Sequence, residues 1–167
     1  MEVEVARTTR FTGALGRMVE WSRSPEARRC WPGVQETWGT ADRIFYVVTM
    51  RAPGAAEARM LVEEHLRPIQ AGDRGALWFE SDQQWLWPRG EPASASTTYR
   101  FSGTGDAKQL EFHLRYLLPG RPGGRAINRA RFGPAIERAV DRYLGCVAGG
   151  APAVAASAEG DTEDGSG

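Results

Sequence analysis

The chain has little of several residue types on which common functional sites depend. Of its 21 basic residues only Lys108 is a lysine, it has two histidines and two cysteines, and its formal net charge is zero. A neutral chain lacks the basic excess of a general nucleic-acid-binding protein. The sequence also contains no phosphate-binding loop, dinucleotide fingerprint or Ser-His-Asp order. We therefore expect no metal, no cofactor and no nucleic-acid partner.

Long apolar segments are also lacking. The first ten residues, MEVEVARTTR, contain no apolar signal region, and no stretch approaches the length of a membrane span. Cys30 and Cys146 match no metal-binding or redox spacing, so free thiols in a reducing compartment are expected. Together these features predict a cytoplasmic protein.

The longest helical pattern runs from residue 125 to residue 147. Apolar residues recur there every three or four positions and share one face: Ile136, Ala139, Val140, Tyr143, Leu144 and Val147. Gly133 and Pro134 lie inside the pattern, which predicts either a kink or a short first helix before the main one. The apolar stripe needs a sheet to cover it.

Alternating residues and turn signals predict seven strands, at 2–10, 34–39, 43–51, 57–67, 75–87, 95–103 and 108–118. Two short helices, over 14–21 and 25–30, separate the first strand from the second, and Ser24 before Pro25 marks the start of the second helix. Short connections between later strands imply an antiparallel meander. Residues 149–167 end acidic and have little to bury, so we expect a domain over 1–148 and a disordered acidic tail.

The last two strands each show one apolar face. The inward set comprises Tyr99, Phe101, Leu110, Phe112, Leu114 and Tyr116. The outward set comprises Thr98, Arg100, Glu111, His113 and Arg115. A sheet with one apolar face must bury it, and the long helix is the available cover.

This order of elements, with the turn from Ser24-Pro25-Glu26 to Trp31-Pro32-Gly33, resembles the START-like superfamily, also called SRPBCC or the birch-pollen-allergen fold. Thr98-Tyr99-Arg100, the turn at 103–105 and Gln109-Leu110-Glu111-Phe112 are similar to the penultimate hairpin of its polyketide cyclase/dehydrase and lipid-transport group. The resemblance covers about residues 1–148. It implies an α+β helix-grip fold, in which a seven-stranded antiparallel sheet wraps around a long C-terminal helix and an apolar ligand lies between them.

The resemblance implies a cavity but not a reaction. Aromatase/cyclases of this fold use a cavity arginine and a tyrosine, whose places fall near Leu66 and at Trp38 here, so their pattern is not reproduced. Three hypotheses stay open. The first, favoured by the resemblance, is a cyclase or dehydrase of secondary metabolism, such as antibiotic biosynthesis, acting on a polyketide-like or polycyclic molecule. The second is a non-catalytic carrier or sensor of a hydrophobic ligand, and the third is an interaction or adaptor protein.

Three residues are candidates for proton transfer in that cavity. If Met60, Val62 and Leu66 face inward, so does Glu64, and a desolvated carboxylate could act as general acid or base. Alternatively, the register turns Glu63 and His65 inward, or Glu64 pairs with a nearby arginine. Tyr99 and Tyr116 are expected to place hydroxyl groups in the same cavity, where they could orient a carbonyl.

Flat aromatic side chains suit a polycyclic or polyene ligand by stacking. Trp38, Trp85 and Trp87 are therefore candidates for the cavity wall, with plain core packing as the alternative. The remaining candidate ligand contacts are Met60, Val62, Leu66, Phe101, Phe112, Leu114, Asn128, Phe132 and Ile136.

Four arginines lie before and in the first turns of the last helix: Arg121, Arg125, Arg129 and Arg131. Cations at a helix N-terminus oppose the helix dipole, so helix stability does not explain them. They could dock an acyl carrier protein or an anionic ligand head group, or they could form a solvated face. A monomer or a homodimer is expected.

Overall fold

A computed structural model of the chain describes residues 2–50, 57–86, 92–117 and 125–160, and for residues 50, 58, 125–131 and 151–160 it describes the backbone only. The described strands are β1 Glu2–Arg10, β2 Val34–Gly39, β3 Arg43–Met50, β4 Ala58–Leu66, β5 Gln70–Ala71, β6 Leu77–Leu86, β7 Ala93–Ser102 and β8 Gln109–Leu117. The helices are α1 Leu15–Ser22 and α2 Arg125–Gly160, with 3-10 turns at Glu26–Cys30 and Asp73–Gly75.

Seven strands form one antiparallel sheet in the order β1-β8-β7-β6-β4-β3-β2, and the short β5 pairs with β6. The helix-grip architecture predicted from the sequence is thereby confirmed, with α2 covering the inner face. The predicted strand from residue 75 begins later, because Arg74 and Gly75 have φ angles of 56° and 75° in a turn. A positive φ interrupts extended backbone, so β6 starts at Leu77.

The register of β4 decides which acidic residue enters the interior. Glu64 is paired with Ile44 of β3 and with Gln83 of β6, and it is buried together with Met60, Val62 and Leu66. The alternative register, with Glu63 inward, is therefore wrong.

α2 buries one stripe and exposes the other, as its periodicity predicts. Val140, Tyr143, Leu144 and Val147 are buried, whereas the charged residues of the opposite face are exposed. The helix is continuous through Pro134, so a separate short first helix is excluded.

The C-terminal end of α2 differs from the sequence prediction. Regular structure was expected to end near Gly149, but the helix continues to Gly160. The segment 151–157 is rich in alanine, a strong helix former, which favours this continuation. Residues 161–167 lie outside the described part, and the division into a domain and an acidic tail stays a prediction. None of the described helices is long and apolar enough to span a membrane.

The two cysteines are joined in a disulfide. The Cα atoms of Cys30 and Cys146 are 5.4 Å apart, although 116 residues separate them in the sequence. The expectation of free thiols is wrong. The 3-10 turn Glu26–Cys30 packs against α2, and this brings together two cysteines that are too far apart in the sequence for their spacing to indicate a pair. The predicted cytoplasmic location, which rested partly on free thiols, stays a prediction.

Candidate functional site

A cavity of about 300 Å³ lies between the sheet and α2. The sheet contributes Val48, Thr49, Gln83, Trp85, Leu114 and Tyr116. The helix contributes Phe132, Ala135, Ile136 and Ala139. The segment after the 3-10 turn Glu26–Cys30 contributes Trp31, Pro32 and Gly33. None of these lining residues carries a charge, so the cavity is an apolar chamber with a few polar groups.

Three lining residues have buried polar atoms without a hydrogen-bond partner in the described part of the chain: Trp31 Nε1, Thr49 Oγ1 and Gln83 Nε2. The other end of the Gln83 amide is occupied, since Oε1 accepts a bond from Trp85 Nε1 at 3.2 Å. Burial raises the pKa of Tyr116 to about 12, which keeps its hydroxyl protonated at neutral pH. The cavity wall therefore offers hydrogen-bond donors.

A second polar cluster lies beside the cavity in the sealed core. Arg28 and Glu64 are 0% exposed and form two bonds, Nε to Oε2 at 2.6 Å and Nη2 to Oε1 at 3.0 Å. Arg28 Nη1 also donates to the Ser22 carbonyl at 2.6 Å. Desolvation is the largest single influence and lowers the pKa of Arg28, but the attraction of the Glu64 carboxylate, together with Tyr143, Tyr99 and the hydrogen bonds to Glu64, outweighs it, so the net shift is upward. Arg28 therefore stays protonated, and its guanidinium is paired with the Glu64 carboxyl group.

The local fold explains how Arg28 reaches this position. The Ser24 hydroxyl accepts from the Ala27 N–H at 3.3 Å and donates to the Trp21 carbonyl at 2.7 Å, which caps the 3-10 turn. Trp31, at the end of the turn, stacks on Tyr143 of α2 with ring centroids 4.1 Å apart. The Tyr143 hydroxyl lies 3.5 Å from Arg28 Nη1. Trp31 therefore lines the cavity and also contacts a neighbour of the buried Arg28–Glu64 pair.

The structure separates the three residues predicted to transfer protons. Tyr116 lines the cavity. Glu64 faces inward as predicted, but it pairs with Arg28 and is not part of the cavity wall. The Tyr99 hydroxyl bonds to the Tyr143 hydroxyl at 2.9 Å in the core, where desolvation and then the neighbouring Tyr143 raise its pKa well above the usual value. Only Tyr116 is placed to meet a ligand in this cavity.

The predicted ligand contacts divide in the same way. Four of them line the cavity: Trp85, Leu114, Phe132 and Ile136. Five others are buried in the core away from its wall, because the inner face of the sheet is larger than the cavity: Met60, Val62, Leu66, Phe101 and Phe112. Trp87 lies outside the described residues, and for Asn128 only the backbone is described. The binding roles themselves stay predictions.

The placement predicted for Trp38 is wrong. It lies on the edge strand β2, is 45% exposed, and stacks on Phe45 with ring centroids 5.7 Å apart. Its register partner Phe45 points away from the inner face, so Trp38 stands on the outside of the sheet.

Sequence reasoning missed three polar contributors to the wall: Trp31, Thr49 and Gln83. The alternation of β6 already placed Gln83 on the face of Phe79 and Trp85, and a polar residue on an apolar face is a signal that could have been followed. Among the described residues, no group of three or more His, Cys, Asp or Glu side chains could hold a metal ion.

Comparisons with known proteins agree with the fold. No family model matches the chain, and no curated protein matches its sequence. Solved structures do match. TTHA0849 from Thermus thermophilus is 17% identical over 92% of this chain and 99% of its own, with a TM-score of 0.57. The ZhuI aromatase/cyclase from Streptomyces sp. R1128 is 14% identical over 91% and 94%, with a TM-score of 0.59.

Human STARD10 is 14% identical over 87% of this chain and 63% of its own, with a TM-score of 0.50. Identities this low establish the fold and no activity. The chain has the helix-grip fold that these structures share.

Proposed function

We propose that the cavity binds an apolar small molecule of polyketide-like or polycyclic shape. The observation that carries the proposal is a cavity of about 300 Å³, walled mainly by aromatic and aliphatic side chains and without a charged side chain among its described lining residues. Small-molecule sites have this volume and this apolar lining with few polar groups. The aromatase/cyclase among the structural neighbours supports the same ligand class.

Within this proposal the chain acts as a cyclase or dehydrase. The walls hold a flexible chain folded in a reactive conformation, so positioning supplies most of the rate. The protonated Tyr116 hydroxyl donates a hydrogen bond to a carbonyl as negative charge develops on its oxygen. Glu64 takes no part, since Arg28 engages both of its oxygens.

A non-catalytic carrier or sensor is the second candidate. The observation in its favour is that no carboxylate or imidazole group stands among the described lining residues. Binding and release of an apolar ligand need only the chamber and its aromatic walls.

Binding is tested by calorimetric titration with ethylnaphthalene, an apolar bicyclic probe. Wild type should bind it, and Ile136→Trp, which fills the chamber from α2, should abolish binding. Arg138→Trp introduces the same side chain on the exposed face of the same helix and should leave binding unchanged. If Ile136→Trp and Arg138→Trp bind as wild type does, the chamber is not the site.

The two candidates are separated by native mass spectrometry of protein purified from its own host. A bound polyketide-like ligand that is converted on incubation, more slowly by Tyr116→Phe, supports the cyclase or dehydrase. The same ligand recovered unchanged supports the carrier.

An acyl carrier protein as partner is a separate proposal, which rests on the arginines at the start of α2. Charge reversal by Arg125→Glu with Arg129→Glu should weaken carrier binding. Unchanged affinity for the carrier and for the ligand would end this proposal.

A further inference from the structure

The polar groups in the wall of the cavity share one property, which is that they donate hydrogen bonds. The indole Nε1–H of Trp31 can only donate, and it has no partner in the described part of the chain. The Tyr116 hydroxyl stays protonated at neutral pH and can also donate. Gln83 adds the unpaired amide nitrogen Nε2.

The orientation of the Gln83 amide follows from its neighbour. Trp85 Nε1 lies 3.2 Å from the amide oxygen, and an indole N–H has no acceptor capacity, so the end of the amide that meets it must be the oxygen. The NH₂ group is therefore the free end, and the assignment does not depend on telling nitrogen from oxygen in the coordinates.

The inner-face neighbours of Gln83 give its NH₂ group no partner in the described part of the chain. Gln83 is 2% exposed, and its cross-strand neighbours on the inner face are Glu64 and Ala95. Both Glu64 oxygens accept from Arg28 and neither accepts from Gln83, and Ala95 has no polar side-chain atom. An unsatisfied buried donor is unfavourable, and an acceptor on a molecule in the cavity would remove that penalty.

We infer that the cavity selects an uncharged ligand by a carbonyl oxygen, and that Gln83, oriented by Trp85, is the residue that selects it. This inference rests on the proposed function, because it presupposes that the cavity holds a ligand. A carboxylate would also accept hydrogen bonds, but the described lining residues include no cation to compensate a buried negative charge. The class that fits is a neutral ketone or quinone on an apolar, flat framework.

The test compares two probes of similar size, naphthyl methyl ketone and ethylnaphthalene, by calorimetric titration. Wild type should prefer the ketone by about five- to tenfold, the value of a hydrogen bond to an otherwise unsatisfied donor. Gln83→Met keeps the length of the side chain but removes the amide, and it should lose this preference, measured as the ratio of its affinities for the two probes. Gln84→Met, one residue along on the exposed face of β6, should keep it.

A second variant covers the case in which Gln83→Met fails to fold. Trp85→Phe keeps an aromatic ring in the wall but removes the N–H that orients the amide, so the preference for the ketone should shrink. If Gln83→Met folds and keeps the wild-type preference for the ketone, the inference is wrong and the proposed function stands. If only Trp85→Phe folds, an undiminished preference for the ketone in that variant has the same meaning. A naphthoate anion bound more tightly than the ketone would overturn it too. If wild type binds none of the probes, the proposed function fails and the inference fails with it.

Discussion

Replacing Glu64 by glutamine would leave the guanidinium of Arg28 in the interior without a counter-charge. Both side chains are fully buried and joined by bonds of 2.6 and 3.0 Å. Removing one partner of such a pair costs about 3–5 kcal/mol, because the remaining charge is desolvated and unpaired. The whole stability of a domain is only about 5–15 kcal/mol. We therefore expect Glu64→Gln to lower the melting temperature by about 6–20 °C for a chain of this size.

The assays are thermal unfolding, which gives the melting temperature, and urea unfolding, which gives the free energy; both use the oxidised protein and tryptophan fluorescence. The neighbouring Glu63→Gln is the matched control, because Glu63 points outward and pairs with the exposed Arg43 and His65. Solvent screens those pairs, so this control should unfold nearly as wild type does. The double variant Arg28→Met with Glu64→Leu removes both charges and should recover most of the lost stability.

Two results would refute this reasoning. If Glu64→Gln unfolds within about 1 kcal/mol of wild type, Arg28 does not depend on the charge of Glu64 in the core. If Glu64→Gln keeps its stability but loses turnover of a bound ligand, Glu64 is the general acid or base that the sequence suggested, and its pairing with Arg28 is incidental.

Three further predictions concern other buried groups. Reducing the disulfide between Cys30 and Cys146, which are 116 residues apart, should lower the free energy of unfolding by up to about 5 kcal/mol in urea titrations. If reductant also lowers the free energy of unfolding of a Cys30→Ala, Cys146→Ala variant, the prediction is contradicted. Thr97→Val removes a buried, unpaired hydroxyl and should raise the free energy of unfolding by about 1 kcal/mol, whereas a lower melting temperature would show that the hydroxyl is satisfied. The folded-state pKa of Tyr116 is raised from 10.0 to about 12, so its stabilising contribution is full below pH 10 and is lost as the pH rises through about 12. The free energy of unfolding of Tyr116→Phe should therefore fall less over this pH range than that of wild type, and an identical fall would refute the assignment.

The fold was largely accessible from the sequence because its signals are local. Alternation along β8 separates Phe112 and Tyr116 from His113, and the structure buries the first two and exposes the third. The stripe of α2 that contains Val140 and Tyr143 is buried for the same kind of reason. The main elements, their faces and the antiparallel meander therefore follow from the periodicity and from short connections, whereas the pairing of β1 with β8 does not.

The site was less accessible because it depends on which inward residues stay beside open space. The sequence pattern makes the same prediction for Tyr99 and Tyr116, since both are tyrosines on inner faces. Of the two, only Tyr116 lines the cavity. Periodicity assigns a face, whereas the extent of the cavity along that face is set by how α2 and the 3-10 turn pack on the sheet. The same limit explains why Gln83 was overlooked.

Local patterns in the chain were enough to specify the main strands, the long helix and their apolar faces, because backbone geometry couples residue period to face within one element. The helix-grip architecture was implied by the resemblance, and the register of β4 stayed open until the structure placed Glu64 inward. Three-dimensional packing was needed to establish that Glu64 meets Arg28, that Cys30 meets Cys146, and that Trp38 stands outside. These are contacts between elements far apart in the chain, and they depend on packing distances that no local pattern encodes.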